Sequence, residues 1–373
     1  MFSGCKNLTE APKMITSDST KFDYMFAGCN SLTSVPLFDT SKGTSFNSIF
    51  SQCKSLTTIP ELDTSKGAGF KDMFNECTNL ITIPQLDTSN GTDFSMMFYN
   101  CKNLTSIPQL NTTKGTNFTY MFQTCSSLTE IPQLDTSSGT EFQGMFANCT
   151  GLTTIPQLNT TKGTNFNSMF TGCKNLTTVQ QLDTSSGTNL GSIFYYCSSL
   201  ITVPQLDTSS NTKFAGMFTG CIKLTMIPQL DTSNGTAFER MFDACSGLTT
   251  IPELDTSNGT SFSSMFYNCK NLTTVQQLDT SKGTNFSYMF YGCKNLQNIT
   301  FVGSINDNID FSFSTLLTYE SVKSILTACS NKTNTNSRKL KFSRTLTDQN
   351  GELDALIATC TSKGWTITGL TLK

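Results

Sequence analysis

The sequence predicts a repeat solenoid: a right-handed stack of about thirteen 24-residue coils, with a parallel β-sheet on one face and a C-terminal α/β cap. Three observations predict it. Cysteine recurs every 24 residues from Cys5 to Cys293 without insertion. A phenylalanine stands three residues before each of these cysteines, from Phe2 to Phe290, and a leucine three after, from Leu8 to Leu296. The register then ends, and residues 298–373 switch to strand and helix patterns. The organisation is therefore a solenoid over 1–297 and a capping region over 298–373.

One coil can be followed from Leu104 to Cys125. Leu104, Ile107 and Leu110 mark the core side of a short strand and its bend. Pro108 has no N–H to give a ladder, so the proline column should mark where the paired strand ends. Asn111 to Thr116 is turn chemistry. The glycine column that includes Gly43, Gly91, Gly115 and Gly283, with Asn211 in its one gap, suggests a position needing φ > 0. Phe118, Met121, Phe122 and Cys125 have the 3–4 spacing of one short helical turn facing the core. No coil can bury its own apolar face, so the core exists only by stacking. Coils about 4.8 Å apart would make a stack of about 60 Å.

The C-terminal elements follow. Thr318 to Cys329 reads as an amphipathic helix with Thr318 as N-cap. Leu340 to Phe342 reads as a strand, Asp348 to Lys363 as a second helix stopped by Gly364, and Trp365 to Thr368 as a last strand. Strand–helix alternation favours parallel pairing that continues the solenoid sheet and covers its end. At the other end, Met1 and Phe2 enter in mid-coil, which fits a chain whose true start lies upstream.

Composition narrows the function. The chain has 373 residues, 25 basic and 27 acidic, with no histidine. A near-neutral balance argues against nucleic-acid binding. Missing histidine removes the usual general base and metal ligand. No apolar run is long enough to insert into a membrane, and residues 1–20 carry no legible signal peptide.

The invariant columns read as structure. The cysteines fit buried free thiols better than disulfides or a metal site, because stacked identical residues point the same way. The column from Asp39 to Asp279, with Asn111 and Asn159 among its members, fits side chains that accept backbone N–H groups of the Thr-Ser turn better than a calcium cage. The column from Thr16 to Thr280 fits neighbour-coil hydrogen bonding better than an ice-binding face. No catalytic residue, metal ligand or cofactor is assigned.

The candidate binding residues lie where the coils differ. Tyrosines flank the Met-Phe pair. Tyr267, Tyr288 and Tyr291 should cluster, and Tyr99 and Tyr120 should be neighbours. Aromatics suit binding surfaces because they bring contact area at little entropic cost. The row that includes Gln109, Gln133 and Gln157 is the next candidate.

Met121-Phe122-Gln-Thr-Cys125-Ser-Ser-Leu128-Thr-Glu-Ile131-Pro132 resembles the BspA-like class of leucine-rich repeats over residues 1–297. Leu134-Asp135-Thr136-Ser137 resembles a sister group common in surface lipoproteins of wall-less bacteria. The resemblance implies a leucine-rich-repeat-like fold. It also implies a non-enzymatic binding or adhesion module on a cell surface or virion, with a host-surface protein or glycan as partner. A structural spacer rod displaying another domain is the alternative. The pattern assigns no oligomeric state.

Overall fold

The computed structural model describes residues 1–331 and 338–373; residues 332–337, inside the expected cap, lie outside the described residues. The chain divides into two compact units, Met1–Gly187 and Thr188–Lys373. The change at 297/298 expected from the sequence falls inside the second unit.

The first unit is built of stacked coils. Phe118, Met121, Phe122, Cys125 and Leu128 are fully buried, and their equivalents in neighbouring coils are buried with them. Ring stacks run coil to coil. Phe118 and Phe142 lie 5.7 Å apart at 8°, and Phe122 and Phe146 lie 5.7 Å apart at 7°. An interior of aromatic columns supplies both apolar burial and favourable ring contact.

The 118–125 stretch is not a helical turn. The N–H groups of Met121, Gln123 and Cys125 each bond a carbonyl three residues back. The N–H groups of Phe118, Tyr120, Phe122 and Thr124 cross to the carbonyls of Glu141, Gln143, Met145 and Ala147 in the next coil, at 2.7–2.9 Å. Tyr120 and Thr124 take φ of 56° and 64°. These left-handed residues aim alternate N–H groups along the stack, whereas a helix would keep them all inside. A left-handed non-glycine residue costs about 1–2 kcal/mol, and its inter-coil hydrogen bond returns about 1 kcal/mol.

Pairing between coils is parallel but reduced to single bridges. In the first unit one row runs Lys21, Ser45, Gly69, Asp93, Asn117, Glu141 and Asn165, the residue before each outer phenylalanine. The expected strand at Leu104 to Leu110 does not form. Leu104 and Leu110 are buried, but Ile107 is half-buried. Proline removes the donor that a ladder would need there. Side chains take over: the Gln109 amide nitrogen donates to Leu110 O at 3.1 Å and to Gln133 O of the next coil.

The glycine column also differs from expectation, since none of its members has positive φ. Its cause is space. A Cβ on Gly115 would lie 2.6 Å from Phe118 Cζ and 2.9 Å from Thr112 O. Asn211, in the gap, is buried without a left-handed backbone, and its Oδ1 accepts from Leu190 N.

The second unit begins with the same coils. Its Phe262 and Phe286 rings stack at 5.5 Å and 1°. A continuous strand, β1 (Thr274–Asp279), forms in a coil where Gln276 replaces proline. It pairs in parallel with β2 (Asn298–Val302), which also lacks proline. The other proline-free coil, at Gln180, forms no strand; the adjacent coils carry Pro156 and Pro204. Then come β3 (Ile309–Asp310), α1 (Tyr319–Thr327), β4 (Arg338–Leu346), α2 (Glu352–Ser362) and β5 (Trp365–Leu372). The order β3-β4-β5 is parallel throughout. Thr318 caps α1 by accepting Ser321 N. The second helix starts later than expected because Asp348 accepts the N–H groups of Leu353 and Asp354 across the turn. Phe311 stacks on Phe290, the last repeat phenylalanine, at 5.2 Å. Among the described residues no helix is long and apolar enough to cross a membrane.

Candidate functional site

Most polar groups of the invariant columns are satisfied within the stack, although the buried Thr40, Thr64 and Thr280 hydroxyls have no hydrogen-bond partner among the described residues. In the first unit Thr88, Thr112, Thr136 and Thr160 each donate Oγ1 to the carbonyl of the Asp or Asn one coil on, at 2.8 Å. The carboxylates act as expected: Asp63 Oδ1 accepts Ser65 N at 3.0 Å and Ser65 Oγ at 2.7 Å. Those two donors hold the Asp63 carboxyl below the ordinary range. Asn111 makes the same turn with Thr113.

Thiols repeat the pattern. Cys125 Sγ donates to Phe98 O at 3.0 Å and Cys149 Sγ to Phe122 O at 2.9 Å. In the second unit Cys245 does the same to Phe218 O. Burial pushes the Cys77 thiol up to about 12. Column members are free thiols, buried except for Cys5.

What remains for recognition is the set of positions stacking does not specify. In the second unit Tyr267 and Tyr291 occupy one column and stack at 5.1 Å and 8°. Tyr288 meets both edge-on, at 6.4 Å from Tyr267 and 6.1 Å from Tyr291. Tyr288 is 63% exposed, while Tyr267 and Tyr291 are half-buried. The patch gains a member that sequence reasoning missed: Phe313 lies 4.4 Å from Tyr291. It sits beyond the repeat, where no column assigned it a place.

The other pair does not form. No aromatic contact joins Tyr99 to Tyr120 among the described residues, and both are half-buried in the first unit. Tyr99 follows an inner phenylalanine and Tyr120 is the left-handed residue of the next coil, the same two positions that Tyr267 and Tyr288 hold. Tyr120 instead pairs through its hydroxyl with the Gln143 amide.

Gln109, Gln133 and Gln157 stand in one exposed row of the first unit, as expected. Their nitrogens are engaged. Gln133 Nε2 reaches Leu134 O and Gln157 O, and Gln157 Nε2 reaches Leu158 O and Gln181 O. Their side-chain oxygens take no donor among the described residues, so the row is a line of acceptors. It lines a groove of about 1060 Å³ together with Leu110, Asp87 and Asp135. Sequence reasoning missed the two aspartates as lining residues, having assigned their column to the turns. One carboxylate oxygen serves the turn while the residue also borders the groove. A smaller groove of about 770 Å³ in the second unit is lined by equivalent residues, among them Gln229, Asp231 and Glu253.

A family described as "Mycoplasma protein of unknown function, DUF285" matches in six overlapping stretches: residues 1–106, 68–178, 92–202, 125–223, 164–254 and 201–302. Among curated proteins none matches the chain. The solved structures to which it is similar include a leucine-rich repeat protein from Eubacterium ventriosum, at 15% identity and TM-score 0.35, over 78% of this chain and 86% of that one. An internalin of Listeria monocytogenes matches at 13% identity and TM-score 0.27, over 80% and 88%. A plant peptide hormone receptor, solved in complex with RGF2, matches at 12% identity and TM-score 0.30 over 92% of this chain, which spans about 60% of that receptor's length.

Proposed function

The chain belongs to the DUF285 family, and from that premise and its surface we propose that it is a non-enzymatic binding and adhesion module. In this reading it is displayed on a cell surface or virion and recognises a host protein or glycan through the columns that vary between coils. Residues 298–373 serve as the cap of the stack. The Met-Phe-x-x-Cys-x-x-Leu column set supports placing the repeats in the BspA-like class.

One observation carries the proposal. Tyr267, Tyr288 and Tyr291 form a contiguous aromatic patch with Phe313. The coils do not need these tyrosines: the equivalent positions elsewhere hold Ala27, Ser48, Asp72, Gln123 and Gly144 in stacks of the same kind. A cluster of rings, partly exposed and unneeded for packing, supplies contact area with little rotamer entropy to lose. The Gln109, Gln133 and Gln157 row is the second surface of this reading. It offers oxygens to a partner rich in hydroxyl or N–H groups.

The test replaces Tyr267, Tyr288 and Tyr291 together by serine and compares both chains on host cells and a glycan array. Expected is an unchanged circular dichroism spectrum with binding weaker by about tenfold or more. Unchanged binding would remove the patch and move attention to the glutamine row. Binding indifferent to both would favour the spacer rod, which needs length and stiffness but no recognition surface.

A further inference from the structure

Two cysteines stand outside the 24-residue column. Cys329 follows the last turn of α1, and Cys360 lies near the end of α2. Cys360 Sγ donates to Leu326 O at 3.1 Å, and Cys329 Sγ lies 3.9 Å from Ile325 O. Both sulfurs therefore rest on consecutive carbonyls of one helical turn. No column thiol has this arrangement. Cys245, Cys269 and Cys293 each hold a separate phenylalanine carbonyl.

The surroundings differ too. A cavity of about 470 Å³ is lined by Cys329, with Gly303, Ser304, Asn306 and Lys363 around it. Lys363 Nζ donates to Cys329 O at 3.0 Å. Arg338 is buried nearby, bonded to Ser330 Oγ and set 5.4 Å over the Trp365 ring. Cationic groups beside a thiol favour thiolate and so reactivity. The Cys360 thiol is held below its ordinary range by the hydrogen bond from Cys329, with the Lys363 charge assisting against burial. The same bond, together with burial, raises Cys329. At the column thiols Cys173 and Cys221 burial dominates and raises the thiol, with no cation among the influences.

We propose that Cys329 and Cys360 are a dithiol site that accepts a low-molecular-weight disulfide as substrate and closes to an intrachain disulfide between α1 and α2. The substrate, RSSR, enters by the cavity. The Cys360 thiolate takes the Cys329 proton, and Sγ of Cys329, the cysteine that lines the cavity, attacks one sulfur of RSSR, giving a Cys329–S–SR mixed disulfide and releasing RS⁻, which takes that proton from Cys360. The Cys360 thiolate then attacks Cys329 Sγ, forming the protein disulfide and expelling the second RS⁻. Both leaving groups take up the two thiol protons as RSH. One S–S bond is broken and one is made; the two protein sulfurs are oxidised and the two of RSSR are reduced. The product joins residues 31 apart in sequence, across the pair of helices that follow the last repeat.

The experiment exposes the full folded chain to oxidised glutathione, alkylates it and digests it without reduction for mass spectrometry. Exposed Cys5 provides an internal reference, because it takes glutathione without any partner. Expected are a linked peptide containing Cys329 and Cys360, and buried column thiols, from Cys29 to Cys293, that are alkylated only after denaturation. The linked pair should form at least about tenfold faster than any buried column thiol reacts. In Cys360→Ser the reaction should stop at a glutathione adduct on Cys329. Loss of free Cys329 and free Cys360 in the unsubstituted chain must run together, which decides the matter even if the variant does not fold. A Cys5 adduct with both other thiols still free would overturn the proposal. Disulfides along the column would also overturn it.

Discussion

In the coils of the second unit, Phe262 N–H bonds Asn285 O and Asn268 N–H bonds Tyr291 O, each 23 residues on. In the region that follows, Val322 N–H bonds Thr318 O four residues back, and β4 lies between β3 and β5 in an ordinary parallel sheet. A coil thus finds partners for alternate backbone donors of its Phe-to-Cys stretch outside itself. A helix such as α1 finds nearly all of them within. The difference teaches where each region's stability resides: at the interfaces between coils for one, and within secondary structure and its packing for the other.

The sharpest way to break this comparison is to remove residues 298–373. The Phe290 layer would lose Phe311 at 5.2 Å and Phe301 at 6.4 Å, and β1 would lose its partner β2. Exposed rings and an unpaired strand edge template association. We expect oligomers or precipitate in size-exclusion chromatography. A monomer with an unchanged unfolding midpoint would show that the coils do not depend on a covered end.

Two glycines sharpen it further. Gly115→Ala forces a Cβ against the Phe118 ring and Thr112 O inside a stack. Overpacking of this kind should cost about 2–3 kcal/mol by chemical denaturation. Gly364→Ala, after α2, meets nothing within 4 Å but keeps φ at 85°. Its cost should be about 1 kcal/mol, from the left-handed backbone alone. Equal costs would mean that crowding between coils is relieved by shifts in the stack.

The smallest effect is electrostatic. Serine donors lower the carboxyls of Asp63, Asp87, Asp135, Asp207 and Asp255 from the ordinary 3.8. A carboxyl lowered in the folded state stabilises fully above its unfolded value, and the contribution is lost as pH falls through the folded one. Thermal midpoints should therefore be insensitive to these groups well above pH 3.8 and should decline below it. Asp63→Asn, which keeps the turn as Asn111 does, should make the acid decline slightly shallower. A steeper decline in that variant would contradict the assignment.

The ladders were legible because an exact period places equivalent residues side by side. Thr112, Asp63 and Cys125 behave as their columns implied. The same rule made Tyr267 and Tyr291 readable as neighbours, since 24 residues separate them. Tyr99 and Tyr120 hold the same two positions as Tyr267 and Tyr288 at the same separation of 21, but the Tyr120 ring lies over Gly144 and its hydroxyl meets Gln143, so no ring contact forms with Tyr99. The helical turn was misread because core-facing spacing at Phe118, Met121, Phe122 and Cys125 is the same for a helix and for chained turns. The discriminating residues, Tyr120 and Thr124, are not glycine and so give no conformational signal. Gly115 misled in the opposite sense: glycine serves close approach as well as positive φ, and composition does not separate the two. Phe313 was illegible because only the fold brings it beside Tyr291.

The left-handed column that begins at Tyr24 has a consequence for how such a surface can change. Ser48, Asp72, Met96, Tyr120, Ser168, Arg240 and Tyr288 share one backbone setting, with φ between 54° and 59°. Side chains of such different size and charge are accommodated because the main chain, not the side chain, makes the inter-coil bond. Each coil therefore carries an address that can be rewritten alone, with the interior and the neighbouring coils left as they are. Recombining a few residue types across a dozen such addresses generates a combinatorial variety of surfaces on one unaltered framework.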